Sequence, residues 1–206
     1  MRTQTIITQA LLDSALTFEQ YTRLADERLR QGRSTADDPA YNTPEILGYT
    51  KLNLARMSRL AKQTVVQPEL AQAINRLSQP YIWLVLTESW CGDAAQTVPV
   101  LGQVADQAPA VTFRLLLRDQ HPAVMDAYLT NGARSIPKLI VLHRNTLEEV
   151  ATWGPRPAAL QALMADWRAA GLPFTDVVER AQRWYNDDRT QSTQAELLAL
   201  VEGLGG

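Results

Sequence analysis

Ser89-Trp90-Cys91-Gly92-Asp93-Ala94, close behind the apolar run Tyr81 to Leu86, is the stretch on which the fold turns. A β-branched and aromatic run that stops abruptly at Trp-Cys-Gly reads as a buried strand delivering a cysteine to the start of a helix. The first backbone N–H groups of a helix have no intrahelical partner, and the helix dipole favours negative charge there. Cys91 is therefore expected to ionise more readily than an ordinary cysteine, and the thiolate is the reactive form. It is the only cysteine among 206 residues, so it closes no disulfide within its own chain.

Downstream the pattern alternates. Cys91 to about Gln107 reads as a helix, and Val111 to Leu117 as a second strand whose near-continuous apolar character suits a parallel strand covered on both faces. Ala123 to Thr130 reads as a short helix stopping at Asn131-Gly132. Lys138 to His143 is a third strand, Arg144-Asn145-Thr146 a turn, and Glu148 to Trp153 a fourth strand antiparallel to the third. Pro157 to Ala170 reads as a helix with Leu160, Leu163, Met164 and Trp167 on one face. A further helical region holds Val177, Val178, Ala181 and Trp184, and Thr193-x-x-Glu196 reads as a capping box opening a last helix. Trp184 and Tyr185 are candidate dimer contacts. Upstream, Leu11, Leu12, Ala15, Phe18, Tyr21, Leu24 and Leu29 recur at helical spacing. A polar loop covers Gln31 to Pro44, and further helices run over about Pro44 to Lys62 and Pro68 to Leu77.

The composition, 46% hydrophobic and 20% charged, is that of a globular protein, and a net charge of −2 gives no reason to expect nucleic acid or an anionic membrane as partner. Thr8, Gln9, Asp13 and Ser14 interrupt the apolar residues near the N-terminus, so no signal-peptide core is expected. No stretch reaches the ~20 apolar residues of a membrane span. The lone cysteine fits a reducing compartment, and the cytoplasm is the default. His121 and His143 lack metal-ligand spacing. No P-loop, G-x-G-x-x-G or nucleophile elbow is present, so neither a metal nor a cofactor is expected. Asp37-Asp38, Glu148-Glu149 and Asp187-Asp188 read as turn or surface charges.

The order strand, helix, strand, helix, strand, strand, helix resembles the thioredoxin superfamily from about residue 80 to residue 170. The resemblance rests on Trp90-Cys91-Gly92 at the strand-to-helix junction, on Pro99 eight residues after Cys91, on Ile136-Pro137 before the third strand and on Gly154 after the fourth. It implies an α/β thioredoxin-like fold, a central mixed β-sheet flanked by helices. Residues 1–79 form a helical N-terminal extension packed on the core, 80–170 the thioredoxin-like domain, and 171–206 a helical C-terminal extension. The Trp-Cys-Gly-Asp-Ala reading is similar to a bacterial subgroup of such proteins. Glu88, Leu117-Arg118-Asp119, Asn131-Gly132-x-Arg134-Ser135-Ile136-Pro137-Lys138 and the helical Asn53, Arg56 and Met57 agree with that subgroup.

Three departures matter. Ala94 stands where the resemblance places a resolving cysteine, Asp93 where it places proline, and Val85 where it places a buried aspartate. Two readings follow. In the first, Cys91 is the nucleophile of a monothiol oxidoreductase, forming mixed disulfides with glutathione or protein thiols, a second thiol coming from solution. In the second, the chain is a redox-inactive binding module using the groove beside Pro137. In both, Ile136 and Pro137, whose bond the family makes cis, would present backbone to a ligand. Trp90 would wall the site, Gly92 and Asp93 would shape the helix start, and Arg134, with Lys138, would attract a carboxylate. Glu88 and Asp93 would raise the Cys91 pKa and the two cations would offset this. The plainer alternatives are Cys91 as a small buried hydrophobe, Trp90 as packing, and Arg134 and Lys138 as solvated charges. A homodimer is a further option.

Overall fold

The computed structural model describes residues 6–205; the first five and the last residue of the expected extensions lie outside them. At the centre is strand β1, Tyr81–Thr87, all seven residues of which are buried. Helix α5, Gly92–Ala105, leaves it after a short loop, with Cys91 as N-cap and Pro99 inside. β2, Val111–Leu117, runs parallel to β1 with Tyr81 opposite Val111 and Thr87 opposite Leu117. β3, Lys138–His143, pairs antiparallel with the other edge of β1, and β4, Glu149–Trp153, antiparallel with β3, giving the sheet order β2-β1-β3-β4. With both edges paired and both faces covered, β1 has no polar side, which is why its sequence is a continuous apolar run instead of an alternating one.

The helices before β1 are α1 (Gln9–Ser14), α2 (Phe18–Arg30), α3 (Pro44–Gln63) and α4 (Pro68–Asn75). α6 (Pro122–Ala127) lies between β2 and β3, and α7 (Ala158–Ala169), α8 (Phe174–Asp188) and α9 (Gln191–Leu204) follow β4. The chain is therefore an α/β thioredoxin-like fold, a mixed four-stranded sheet flanked by helices. α3 packs on α5, and α4 on α9. The latter pair is stitched by Gln194, whose side-chain oxygen accepts from the Gln67 N–H at 2.8 Å and whose amide donates to the Val65 carbonyl at 3.2 Å. No helix among the described residues is long and apolar enough to cross a membrane.

Three local readings are corrected. The helical stripe from Leu11 to Leu29 breaks at Ala15–Thr17. There Leu16 is extended and exchanges both backbone hydrogen bonds with Leu115 at 2.8 Å, covering the free edge of β2. Thr17 then opens α2 with a capping box to Gln20. Asn131-Gly132 is not a helix stop: α6 ends at Ala127, and both residues take positive φ (51° and 76°) in a tight turn that pairs Thr130 with Ala133.

Thr193 and Glu196 form no capping box, because α9 begins earlier, at Gln191, behind Thr190 in a left-handed conformation. The Glu196 carboxylate instead accepts from the Ala158 N–H at 2.7 Å, satisfying an orphan donor at the start of α7, and from Trp153 Nε1 at 2.6 Å.

The Ile136–Pro137 and Gly154–Pro155 peptide bonds are cis. Gly154, at φ +109°, lies against the loop before β3, and a Cβ there would stand 2.4 Å from the Pro137 carbonyl oxygen. Both conformation and space exclude a side chain. Gly154→Ala is expected to lower unfolding free energy by about 2 kcal/mol or more in urea titration. Gly48→Ala, inside α3 with nothing within 4 Å of its Cβ, should be neutral or stabilise by up to about 1 kcal/mol.

Candidate functional site

The end of β1 carries Thr87, Glu88 and Ser89 into full burial. Buried polar groups without partners cost roughly 1–3 kcal/mol each, so each must be met from elsewhere in the chain. The loop between α2 and α3 does most of this. The Thr35 hydroxyl donates to Glu88 and accepts from the Ser89 N–H at 2.9 Å, and the Thr35 N–H donates to the Ser89 hydroxyl at 3.1 Å. From α3, the Asn53 amide donates to the Ser89 carbonyl at 3.0 Å and is itself held by Arg56 at 2.8 Å. The Asp119 N–H donates to the other Glu88 oxygen at 3.0 Å, and Tyr21 meets the Thr87 hydroxyl at 3.4 Å. Burial raises the Glu88 carboxyl to about 7 despite the bonds from Asp119 and Thr35.

Cys91 sits at the N-terminus of α5, but its environment reverses the expected ionisation. Cys91 as a whole residue is only 8% exposed. It donates to the Ile136 carbonyl at 3.3 Å and accepts from the Ala94 N–H at 3.5 Å. Burial pushes it up to about 12, the Asp93 carboxylate adds to the rise, and the N–H groups of Ala94 and Asp93, with Arg156, offset only part of it. Glu88, expected to act with Asp93, faces Thr35 and Asp119 instead. The Ile136 carbonyl, expected to be open to a ligand, is engaged by the thiol.

Asp93 is the centre of a second cluster. Its carboxylate takes two bonds from Arg156 (2.6 and 3.1 Å) and one from the Tyr185 hydroxyl at 2.8 Å. Gln96 and Gln182 bond at 2.8 Å one turn further along α5, and a Cβ on Gly92 would meet the Gln182 amide at 3.0 Å. α8 therefore lies close over the helix start. Tyr185 points inward to Asp93 and is buried, which removes it from the expected dimer contact.

The cations expected to offset the rise of the thiol are engaged by other groups. Arg134 forks onto Asp126 at 2.6 Å in an exposed pair, and Lys138 reaches Thr130 at 3.4 Å. Arg156 takes their place; its only sequence signal is its position in Gly154-Pro155-Arg156-Pro157.

Trp90 stacks on Tyr41 with ring centroids 4.3 Å apart, and the Arg118 guanidinium, paired with Asp119 at 2.7 Å, lies 4.7 Å from the Trp90 ring centre. Trp90, Cys91, Gly92, Asp93, Ile136 and Arg134 line a common cleft of about 900 Å³ between α3 and α8. Pro137 follows Ile136 behind this surface. Sequence reasoning missed Thr35, Tyr41, Arg156 and Tyr185. Thr35 and Tyr41 lie in a segment read as a plain loop, and nothing local marks the other two as belonging to Asp93. Among the described residues no group of acidic, His or Cys side chains is placed to hold a metal ion.

This sheet order, with a cysteine capping the helix after the central strand, defines a thioredoxin-fold protein. The chain belongs to the thioredoxin family, whose model matches residues 42–168, reaching back across α3 as well as the sheet. Among curated proteins, none matches. Two solved structures share the architecture over nearly the whole chain. One is a protein of unknown function from Pseudomonas aeruginosa, with a TM-score of 0.60 and 16% identity over 96% of this chain and 98% of that one. The other is an HIV epitope-scaffold, with a TM-score of 0.60 and 16% identity over 96% of this chain and 99% of that one. At that identity the likeness is one of fold.

The Glu88 carboxyl generates a pH prediction. The folded protein holds a proton here from its ordinary value of 4.5 up to about 7, over a range where the unfolded chain has released it. This group's contribution to stability is therefore full below pH 4.5 and falls as pH rises toward 7. Comparing wild type with Glu88→Gln by urea titration between those limits should isolate a loss of about 3 kcal/mol in the difference. A difference flat across that range would show the carboxyl to be unshifted.

Proposed function

We propose that this chain is a thioredoxin-fold binding module whose cleft beside Ile136 and Pro137 receives a partner, with Cys91 serving as a neutral hydrogen-bond donor. The observation that carries this reading is the buried thiol bonded to the Ile136 carbonyl. A thiol raised from 9.0 to about 12 holds about a thousandfold less thiolate near neutral pH than an unperturbed one. The absence of a second cysteine, with Ala94 in the resolving position, supports the same conclusion. In this reading residues 80–170 supply the groove and the flanking helices before and after them supply its walls.

One observation favours the monothiol reading. Cys91 lines the cleft, and its Sγ accepts from the Ala94 N–H, a donor able to stabilise a thiolate once a ligand displaced the Ile136 bond. The chemistry would be attack of the Cys91 thiolate on a disulfide of glutathione or of a protein, forming a mixed disulfide and releasing one thiolate. A second thiolate from solution would then attack the ligand's sulfur in the mixed disulfide, releasing the Cys91 thiolate and forming a new disulfide between itself and that sulfur. The reducing cytoplasm is the compartment proposed for either reading.

Alkylation of Cys91 by iodoacetamide, followed by mass spectrometry across pH, separates the two. The expected result is a rate at pH near 8 at least a hundredfold below that of the urea-unfolded chain, still climbing about tenfold per pH unit past pH 10 where the unfolded chain has levelled off. Cys91→Ser should retain partner binding. A titration below the ordinary thiol range, or binding abolished in Cys91→Ser, would overturn the binding-module reading in favour of thiol exchange.

A further inference from the structure

The cleft is charged against the rest of the molecule. The chain as a whole carries 20 basic and 22 acidic residues, yet the cleft is lined by Arg56, Arg118, Arg134, Arg156, Arg168 and Arg183, with Asp93 and Glu179 the opposing carboxylates. Four of the six are neutralised within the fold: Arg118 by Asp119, Arg134 by Asp126, Arg156 by Asp93 and Arg183 by Glu179. Arg56 and Arg168 form no ion pair among the described residues. They stand on different walls, Arg56 on α3 and Arg168 on the last turn of α7. Burial disfavours the Arg56 charge, and neighbouring Arg59 adds to that cost, so an anion arriving there would relieve an existing penalty.

The same walls hold apolar side chains that nothing covers. Leu52 is 53% exposed and Phe174 71% exposed, and both line the cleft. On α3, Tyr49, Leu52 and Arg56 follow at intervals of three and four, so one helix face presents aromatic, aliphatic and cationic groups together. A small hydrophilic anion would leave Leu52 and Phe174 unused, and about 900 Å³ lies near the top of the range for small-ligand sites. An extended peptide carrying carboxylates and an apolar side chain satisfies both features.

We propose that the cleft between α3, α7 and α8 docks an acidic peptide segment of a protein partner, its carboxylates meeting Arg56 and Arg168 and an apolar side chain meeting Leu52 or Phe174. This rests on the binding-module reading and adds the chemistry of the partner. Charge complementarity of this kind sets partner choice and association rate more than it sets affinity.

The test is selection of random dodecapeptides displayed on phage against the full chain, followed by titration of the enriched sequences as synthetic fluorescein-labelled peptides. The enriched sequences are expected to be rich in Asp and Glu with at least one aliphatic or aromatic residue. Arg56→Gln combined with Arg168→Gln should weaken their binding about tenfold, as loss of two partly exposed ion pairs does. Lys62→Gln, on the same helix outside the cleft, should not. Raising salt from about 50 to about 500 mM should weaken binding in wild type more than in the double variant. Enrichment of neutral or basic peptides, or undiminished binding of acidic ones to the double variant, overturns the acidic-segment assignment and leaves the binding module standing. No enrichment, with no citrate bound either, overturns both. Citrate held by the same two arginines, with no peptide enriched, gives the cleft to a small anion and overturns the proposal.

Discussion

Three polar residues, Thr87, Glu88 and Ser89, are fully buried at the end of the central strand, and the surrounding architecture meets their demands. A side chain or backbone group removed from water must find a hydrogen bond inside the protein, and here the partners come from four separate segments. Tyr21 arrives from α2, Thr35 from the loop after it, Asn53 from α3 and the Asp119 backbone from beyond β2. The helices before the sheet are therefore part of the structure that holds the cysteine loop in place. The family match, which begins at residue 42, takes in α3 with Asn53 but not α2 or Thr35.

Two effects compete at Cys91, and their sizes decide the outcome. A helix N-terminus favours a nearby anion by about 0.3–1 kcal/mol, up to ~2 where partly buried. The rise from 9.0 to about 12 corresponds to about 4 kcal/mol in the opposite direction. Removal from water, reinforced by Asp93, outweighs the dipole. The helix start supplies the geometry of a reactive thiol while burial against the Ile136 loop withdraws the solvent a thiolate needs.

Asp93 joins the halves of the chain. Its carboxylate ties α5 to Arg156 beyond β4 and to Tyr185 on α8. In the first turn of a helix an acid is favourable in any case. With these partners it also seats the C-terminal helices over the site, and its charge contributes to keeping the thiol protonated.

Local pattern alone determined much of this protein. The apolar runs 81–86, 111–117 and 138–143 are strands, and Cys91 caps a helix. Those features were legible because hydrophobic period and turn chemistry act over a few residues. Asn131-Gly132 and Thr193-x-x-Glu196 misled because each sequence fits two uses: the first closes a tight turn between Thr130 and Ala133 in place of a helix stop, and the Glu196 carboxylate is taken by Ala158 and Trp153, distant in the chain. Only the tertiary structure decided that Thr35 would anchor Glu88, that Arg156 and not Arg134 would face the thiol's helix, and that Tyr185 would turn inward. Burial and charge pairing are sums over residues brought together from far along the chain, as Tyr185 and Asp93 are from 92 positions apart, and a pKa answers to that sum.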